Sequence, residues 1–278
     1  MKLVTFEEGG KAPRPGLVVE GGIVDLAAEG FKDALGFIAA PASVQADVAN
    51  SRPTLAMEKS RLLAPIAAPP RIFGIGLNYL EHAAESNMKV QAVPTVFLKL
   101  SSSVVGPDVD VVLPRASSQV DYEAELAVVI GKPGYQIKAE RWEEHVFGYT
   151  IVNDVSARDV QLATSQWILG KSFPTFTPMG PWIVSKDELG DPHTLDIAIT
   201  VAGEKLQDSN TSLLIFKVPA LIEYISGIVP LQAGDVISTG TPPGVGMGRT
   251  PQRWLRPGDE MVVEIARIGQ LRNGVVAE

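Results

Sequence analysis

Val120-Asp-Tyr-Glu-Ala-Glu-Leu-Ala-Val-Val-Ile-Gly131 predicts one β-strand, because apolar and β-branched residues fill its second half and a Gly-Lys-Pro-Gly turn ends it. Side chains alternate between the faces of a strand, so Tyr122 and every second residue after it face a core. Asp121, Glu123 and Glu125 then share the other face, with neighbouring carboxylates about 7 Å apart at Cβ. Such a pair can converge on one cation, whose charge would relieve their repulsion. The alternative is a solvated acidic face on an edge strand.

Composition excludes several classes of function. The 278 residues carry a net charge of −8, so no basic surplus exists for a nucleic-acid backbone, although a local cationic cleft can still bind small anions. The absence of Cys rules out disulfides, thiolate ligands and Cys nucleophiles. No apolar run approaches about 18 residues and no signal segment is present, so we expect no membrane contact and a cytoplasmic location.

The chain is predicted to divide into two domains. Residues 2–6, 16–20 and 22–26 read as short strands without any cluster of His, Lys or carboxylates, so residues 1–68 predict a small N-terminal domain. A Pro- and Ala-rich stretch over residues 64–70 favours extended backbone and marks the boundary. Residues 69–278 are predicted to form the second domain, which carries the candidate catalytic residues described below. Strands outnumber helices without regular βαβ alternation, which predicts a β-rich α+β fold.

A short helix over residues 77–86 follows the first strand of the second domain, with Asn78 as its predicted N-cap. His82 and Glu85 are three residues apart, so they share one face of this helix. A His beside a carboxylate can act as a general base near neutral pH. The alternative is a surface pair on an amphipathic helix.

Two further charged residues occupy suggestive positions. Asp154 follows an apolar strand, where a carboxylate would be presented to a cleft, unless it only caps the next helix. Lys171 lies in a loop with apolar rings and can neutralise an anionic intermediate, unless it is an ordinary exposed lysine.

A glycine-rich loop covers residues 239–249. It lacks the Gly-Lys-Ser/Thr of a phosphate loop and the glycine spacing of a dinucleotide site. Its free backbone N–H groups, with the Thr241 hydroxyl, can instead hold a carboxylate.

Five motifs in order resemble the fumarylacetoacetate hydrolase family over roughly residues 70–275. They are Gly76-Leu-Asn-Tyr-Leu-Glu-His-Ala-Ala-Glu85, Asp121-Tyr-Glu-Ala-Glu-Leu-Ala-Val-Val-Ile-Gly131, Val152-Asn-Asp-Val-Ser-Ala-Arg-Asp159, Gly170-Lys-Ser-Phe and Thr239-Gly-Thr-Pro-Pro-Gly-Val-Gly246. The resemblance implies a mixed β-sandwich roll that usually forms a homodimer. Within the family, the motifs are most similar to those of bacterial enzymes that act on 2,4-dioxo sugar acids or acylpyruvates.

The resemblance also implies a metal site. Glu123, Glu125 and Asp154 would bind a divalent cation, Mg²⁺ or Mn²⁺ with Ca²⁺ as a third option, and Asp121 would stay outside its coordination shell. An all-oxygen ligand set without thiolates suits these hard cations better than Zn²⁺.

The remaining site residues follow from the same motifs. His82 and Glu85 match the family's dyad on a lid that often orders over ligand, and Lys171 matches its active-site lysine. We assign the substrate contacts to Lys99, Arg158, Gln161, Gly240 and Thr241. One departure concerns Pro174, which stands where family members often carry Asp, and it places the orientation of Lys171 and the substrate in question.

These residues predict a metal-dependent hydrolase that cleaves a C–C bond of 2,4-dioxo acids through a metal-stabilised pyruvate enolate. His82, backed by Glu85, would activate the water, and Lys171 would stabilise the enolate charge. The same enolate also permits an oxaloacetate-type decarboxylase or a 2-oxo-acid isomerase or tautomerase. A third alternative is a family member that has lost activity. The expected partner in each active case is a small anionic 2-oxo acid.

Overall fold

The fold is built mainly from strands in a computed structural model that describes residues 1–278. The eighteen strands are β1 Lys2–Glu8, β2 Arg14–Val19, β3 Gly22–Asp25, β4 Ser60–Leu63, β5 Ile72–Gly76, β6 Thr95–Lys99, β7 Val104–Val105, β8 Val111–Leu113, β9 Val120–Asp121, β10 Ala124–Ile130, β11 Val146–Asn153, β12 Ser156–Ala157, β13 Thr177–Ser185, β14 Asp196–Val201, β15 Glu204–Asn210, β16 Val236–Ser238, β17 Glu260–Ile265 and β18 Gly269–Ala277.

The helices are few and short, and none is long and apolar enough to cross a membrane. The six α-helices are α1 Ala34–Ile38, α2 Ala42–Ala49, α3 Leu80–Glu85, α4 Arg158–Gln161, α5 Lys186–Leu189 and α6 Val218–Ser226. Five 3₁₀ helices lie at Met57–Lys59, Ser101–Ser103, Ala139–His145, Thr211–Leu213 and Gly246–Gly248. The predicted β-rich α+β fold is therefore confirmed.

Two sheets enclose the larger core. An eleven-stranded sheet has the order β3-β2-β1-β13-β11-β10-β16-β5-β6, with β4 and β7 paired at β1 and β13. A five-stranded sheet has the order β15-β14-β17-β18-β8, and β9 pairs with β12 alone. The last two strands, β17 and β18, pair antiparallel within the five-stranded sheet.

Strand β10 is central because it is buried on both faces. Leu126, Val128 and Ile130 pack into the core that faces the five-stranded sheet. Ala127 and Val129 pack into a second core, which the N-terminal helices cover. A strand covered on both sides reads as a continuous apolar run, which is the pattern of its sequence.

The N-terminal strands extend the large sheet, since β1 pairs antiparallel with β13. Their observed bounds agree with the three strands predicted in the first 26 residues. The division of the chain after residue 68 stays a prediction.

Candidate active site

The predicted single strand over residues 120–131 is interrupted at Tyr122 and Glu123, which separate β9 from β10. Here the backbone N–H of Glu123 donates to Asn153 Oδ1 at 3.0 Å, instead of continuing the ladder. The carboxylates of Glu123, Glu125 and Asp154 nevertheless converge, with one oxygen of each within 4.8 Å of the others. All three are buried, which contradicts the alternative of a solvated acidic face.

Two lysines neutralise part of this cluster. Lys171 Nζ donates to Glu123 Oε2 at 2.5 Å and to Asp154 Oδ2 at 2.8 Å. Burial alone would lower the pKa of Lys171, but Asp154 and Glu123 outweigh it and raise that pKa. Lys99 Nζ approaches from the other side, donating to Asp154 Oδ1 at 2.6 Å and to the carbonyl of Lys171. Lys99 does not line the pocket. The prediction that Lys99 contacts the substrate is therefore wrong, and its role is to hold Asp154.

Arg158, the first residue of α4, bonds both to the carboxylate cluster and to Asp121. Its Nη2 donates to Glu123 Oε1 at 2.6 Å, its Nε to Asp121 Oδ2 at 2.9 Å and its Nη1 to Gln161 Oε1 at 3.0 Å. Burial would raise the pKa of Glu123, but Arg158 and Lys171 outweigh it and hold that pKa far below its ordinary value. Asp121 lies outside the three-carboxylate cluster, as predicted, and instead anchors Arg158.

Glu125 is the carboxylate that lacks a basic partner. Its Oε2 accepts hydrogen bonds only from neutral groups, the Ser238 hydroxyl at 2.5 Å and the Gly240 N–H at 3.0 Å. Burial raises the pKa of Glu125 well above its ordinary value, and the charges of Asp154 and Glu123 raise it further. The oxygen-only donor set and the missing positive charge beside Glu125 therefore fit a hard divalent cation.

The charges of the buried site do not balance when all groups are ionised. Four carboxylates face three basic side chains: Asp121, Glu123, Glu125 and Asp154 against Lys99, Lys171 and Arg158. One negative charge is left over, and a divalent cation would make the site positive by one. A site with that charge would attract an organic acid, although the whole chain is acidic.

The predicted dyad is formed on α3. His82 Nδ1 lies 2.9 Å from Glu85 Oε1, and His82 is buried against the same pocket as Glu123 and Lys171. We assign the Nδ1 proton to this hydrogen bond, which leaves Nε2 as the proton acceptor. The alternative of an exposed surface pair is wrong.

Asn78 does not cap this helix. The N-cap residue is Tyr79, and it makes no side-chain capping bond. The Asn78 amide instead donates to the carbonyls of Thr239 and Phe216 at 2.7 and 3.0 Å, and its oxygen accepts from the Phe216 N–H. A buried polar side chain must satisfy its own hydrogen bonds, and here it ties the base of α3 to the sheet and to the segment before α6.

The glycine-rich loop binds carboxylates, but those of the protein itself. The N–H of Gly240 donates to Glu125, that of Gly244 to Glu85 at 2.9 Å, and those of Gly246 and Met247 to Asp121 at 2.7 and 3.0 Å. This loop thus fixes three carboxylates: Glu125 of the cluster, Glu85 of the dyad, and Asp121, which holds Arg158. The sequence suggested amides free for a ligand, and these four are already occupied.

The other predicted contacts divide into two groups. Thr241, Arg158 and Gln161 line the pocket, which encloses about 400 Å³ including the space open to solvent. Thr241 Oγ1 donates to the Ala124 carbonyl at 3.1 Å and accepts from Gln207 Nε2 at 2.8 Å. Gly240 lies outside the pocket lining and acts through Glu125. Gln207 was missed, since nothing in its local sequence distinguishes it from a surface residue.

An aromatic wall, formed by Phe97 and Trp167, stands on the pocket side of β5. A Cβ atom at Gly74 would lie 2.3 Å from the Phe97 ring, and one at Gly76 would lie 2.4 Å from the Trp167 ring. The two rings meet edge to face, with centroids 5.5 Å apart. The two glycines of β5 are therefore needed for space, and the sequence alone did not reveal the wall.

Pro174 lies away from this chemistry. It is exposed, and it borders a surface depression with Val112, Phe173 and Glu278 rather than the pocket. Lys171 is oriented by Glu123 and Asp154 instead. The departure at Pro174 therefore does not disturb the lysine.

The fold and the buried site define a family of enzymes. Residues 71–276 match the family described as Fumarylacetoacetate (FAA) hydrolase C-terminal, so the chain belongs to the fumarylacetoacetate hydrolase family. Among curated relatives, it is 47% identical over 231 residues to the oxaloacetate tautomerase FAHD2A, mitochondrial, of Homo sapiens, covering 82% of this chain and 74% of the relative.

Two solved structures show the same architecture. A putative HpcE protein from Mycobacterium smegmatis has a TM-score of 0.92 at 38% identity, with 100% of this chain and 99% of that chain covered. Maleylpyruvate hydrolase from Sphingobium sp. SYK-6, in complex with manganese(II) and pyruvate, has a TM-score of 0.83 at 30% identity, with the same coverage. The family thus contains both tautomerases and hydrolases.

We expect residues 78–90 to act as a lid whose protection changes on binding. Helix α3 is only six residues long, and Ala84 and Ser86 offer little apolar surface for anchoring it. Oxalate, a mimic of the enolate, should slow amide hydrogen exchange in this segment when Mg²⁺ is present. Equal exchange with and without oxalate would count against a closing lid.

Proposed function

We propose that this chain is a divalent-metal-dependent enzyme of 2-oxo acids, and that its main reaction is the keto–enol tautomerisation of oxaloacetate. The observation that carries the proposal is one pocket lined by the paired base His82, the ammonium group of Lys171 and the carboxylates of Glu123 and Glu125, with the buried Asp154 bonded to Lys171 behind them. Tautomerisation needs only these parts, because a proton moves between C3 and the C2 oxygen and no bond between heavy atoms breaks. The 47% identity to an oxaloacetate tautomerase supports this choice.

Glu123, Glu125 and Asp154 would hold the cation, Mg²⁺ or Mn²⁺. When bound, such an ion polarises the C2 keto group and stabilises negative charge on its oxygen. The manganese(II) of the maleylpyruvate hydrolase structure supports a divalent metal here, although that protein is only 30% identical.

The side chains supply the proton transfer. His82 Nε2 takes or returns the proton at C3, and solvent water in the open pocket would exchange the proton of the C2 oxygen. Glu85 holds the imidazole in the required tautomer. Lys171 counters the charge that develops on the substrate, and Arg158, Gln161 and Thr241 are the proposed contacts of its carboxylates.

Hydrolysis of an acylpyruvate is the second candidate, which the sequence placed first. The same His82–Glu85 pair can activate a water against the C4 carbonyl, and a maleylpyruvate hydrolase has the same fold. We rank tautomerisation above hydrolysis, which is supported by the higher identity to the tautomerase, 47%, than to the maleylpyruvate hydrolase, 30%. The homodimer stays a prediction, and so does the cytoplasmic location beside relatives described as mitochondrial.

Product analysis separates the candidates. The Mg²⁺-loaded protein should interconvert the enol and keto forms of oxaloacetate much faster than it releases pyruvate from oxaloacetate or from an acylpyruvate. Faster pyruvate release from the acylpyruvate would make hydrolysis the main activity. Release of pyruvate from oxaloacetate but not from the acylpyruvate would indicate a decarboxylase. Turnover of neither substrate, despite metal binding, would indicate an inactive family member.

Replacing Lys171 by Met should slow both candidate reactions. The change keeps most of the side-chain volume but removes the charge that faces the developing enolate. Loss of one such preorganised group typically costs about 10²–10³-fold in kcat. The assay is kcat at saturating Mg²⁺, with metal affinity measured in parallel because Glu123 and Asp154 lose a partner. An unchanged kcat would remove Lys171 from the proposed chemistry.

A further inference from the structure

The carboxylate of Glu85 is held from two directions. His82 Nδ1 lies 2.9 Å from its Oε1, and the backbone N–H of Gly244 donates to its Oε2 at 2.9 Å. Gly244 has a φ of +104°, and a Cβ there would lie 2.1 Å from the Leu206 carbonyl oxygen, so this part of the loop packs closely against β15. Glu85 therefore joins α3 to the glycine-rich loop where that loop packs against β15.

Gly248 borders the same carboxylate. A Cβ atom at this position would lie 2.8 Å from Cδ and 2.9 Å from both Cγ and Oε2 of Glu85. The backbone of Gly248 is outside the left-handed region, so an L-residue can adopt its conformation. Glycine is needed here for space and not for backbone geometry.

We propose that Gly248 is a positioning residue of the site: its missing side chain leaves the space for the Glu85 carboxylate, and through Glu85 it sets the place of His82. The role of Gly248 in turnover rests on the proposed function. Its role in holding α3 does not, because that follows from the contacts alone.

The Gly248→Ala change should displace Glu85 rather than unfold the loop. The atoms that the new methyl group meets belong to the far end of a flexible side chain, which can rotate away. Glu85 then loses its bonds to both His82 and Gly244. A misplacement of about 1 Å in a catalytic group can cost about 10²-fold, so kcat should fall by about 10–100-fold.

A double-mutant cycle tests whether Gly248 acts through Glu85. Gly248→Ala should slow the enzyme in the wild-type background but add no further loss to Glu85→Ala, which removes the clash. Gly36→Ala on α1 is the matched control, because the nearest atom to its new Cβ is an ordinary 3.6 Å away and the site is remote. Equal losses from Gly248→Ala in both backgrounds would overturn the proposal.

Hydrogen exchange gives a second readout that needs no substrate. Residues 80–88 should exchange faster in Gly248→Ala, while β10 and the Mg²⁺ affinity stay as in the wild type, because the carboxylate cluster is untouched. Unchanged exchange over residues 80–88 would overturn the proposal. Absence of tautomerase activity in the wild-type protein would contradict the proposed function but not the role of Gly248. The exchange result would still decide that role.

Discussion

Replacing Glu125 by Gln should abolish metal-dependent activity and leave the fold intact. The amide oxygen of Gln can still accept from Ser238 and Gly240, so both hydrogen bonds of Glu125 remain while its charge is lost. Partners of metal ligands already cost about 10–100-fold in affinity when mutated, so loss of a ligand itself should cost at least about 100-fold. Titration with Mg²⁺ or Mn²⁺ by calorimetry, together with kcat at each metal concentration, measures the effect.

Asp121→Asn is the control for this change. It removes an equally buried carboxylate, but one that lies outside the three-carboxylate cluster and holds Arg158 instead. Metal affinity should stay within a few-fold of the wild type, although substrate binding can suffer through Arg158. If Asp121→Asn weakens metal binding as much as Glu125→Gln does, the assigned ligand set is wrong.

His82→Ala should lower the kcat of tautomerisation by about 10²–10⁴-fold, the usual contribution of a positioned general base. Hydrolysis of an acylpyruvate should fall by a similar factor, because the same imidazole would activate the water. Any decarboxylation of oxaloacetate should fall far less, since it needs stabilisation of the enolate but no base at C3. Measuring kcat at saturating metal and substrate keeps lid effects on binding out of the comparison.

His193→Ala is a matched control for this change. His193 is also paired with a carboxylate, Asp191 at 3.0 Å, but it does not line the pocket. Its removal should leave kcat near the wild-type value. Equal slowing of all three reactions by His82→Ala would mean that the dyad acts in lid closure rather than in proton transfer.

The sequence predicted those parts of the site that depend on local chain geometry. Side-chain alternation placed Glu123 and Glu125 together, and the strand end placed Asp154, and these three carboxylates do converge. The i, i+3 spacing likewise placed His82 beside Glu85. Each of these inferences depends on the local backbone, either its periodicity or the end of a strand, which a sequence carries directly.

Residues whose roles depend on distant contacts could not be predicted in the same way. Asn78 has the residue type of an N-cap, but its amide bonds to Thr239, 161 positions away. Lys99 was predicted to contact the substrate, yet its ammonium group bonds to Asp154 outside the pocket lining. Gly248 looks like any loop glycine until the position of Glu85 is known. Such roles arise from packing between segments, and no local pattern records them.

The decay of the enol absorbance of freshly dissolved oxaloacetate tests the central claim most directly, because it follows the proposed reaction itself. Spontaneous conversion and conversion by Mg²⁺ alone provide the baseline. Protein with one equivalent of Mg²⁺ should convert enol to keto form much faster than the same Mg²⁺ alone. Glu125→Gln and His82→Ala should fall to near that baseline, and pyruvate should not accumulate at a matching rate. Decay no faster than with Mg²⁺ alone, or pyruvate appearing as fast as the enol disappears, would contradict the assignment of a metal-dependent tautomerase.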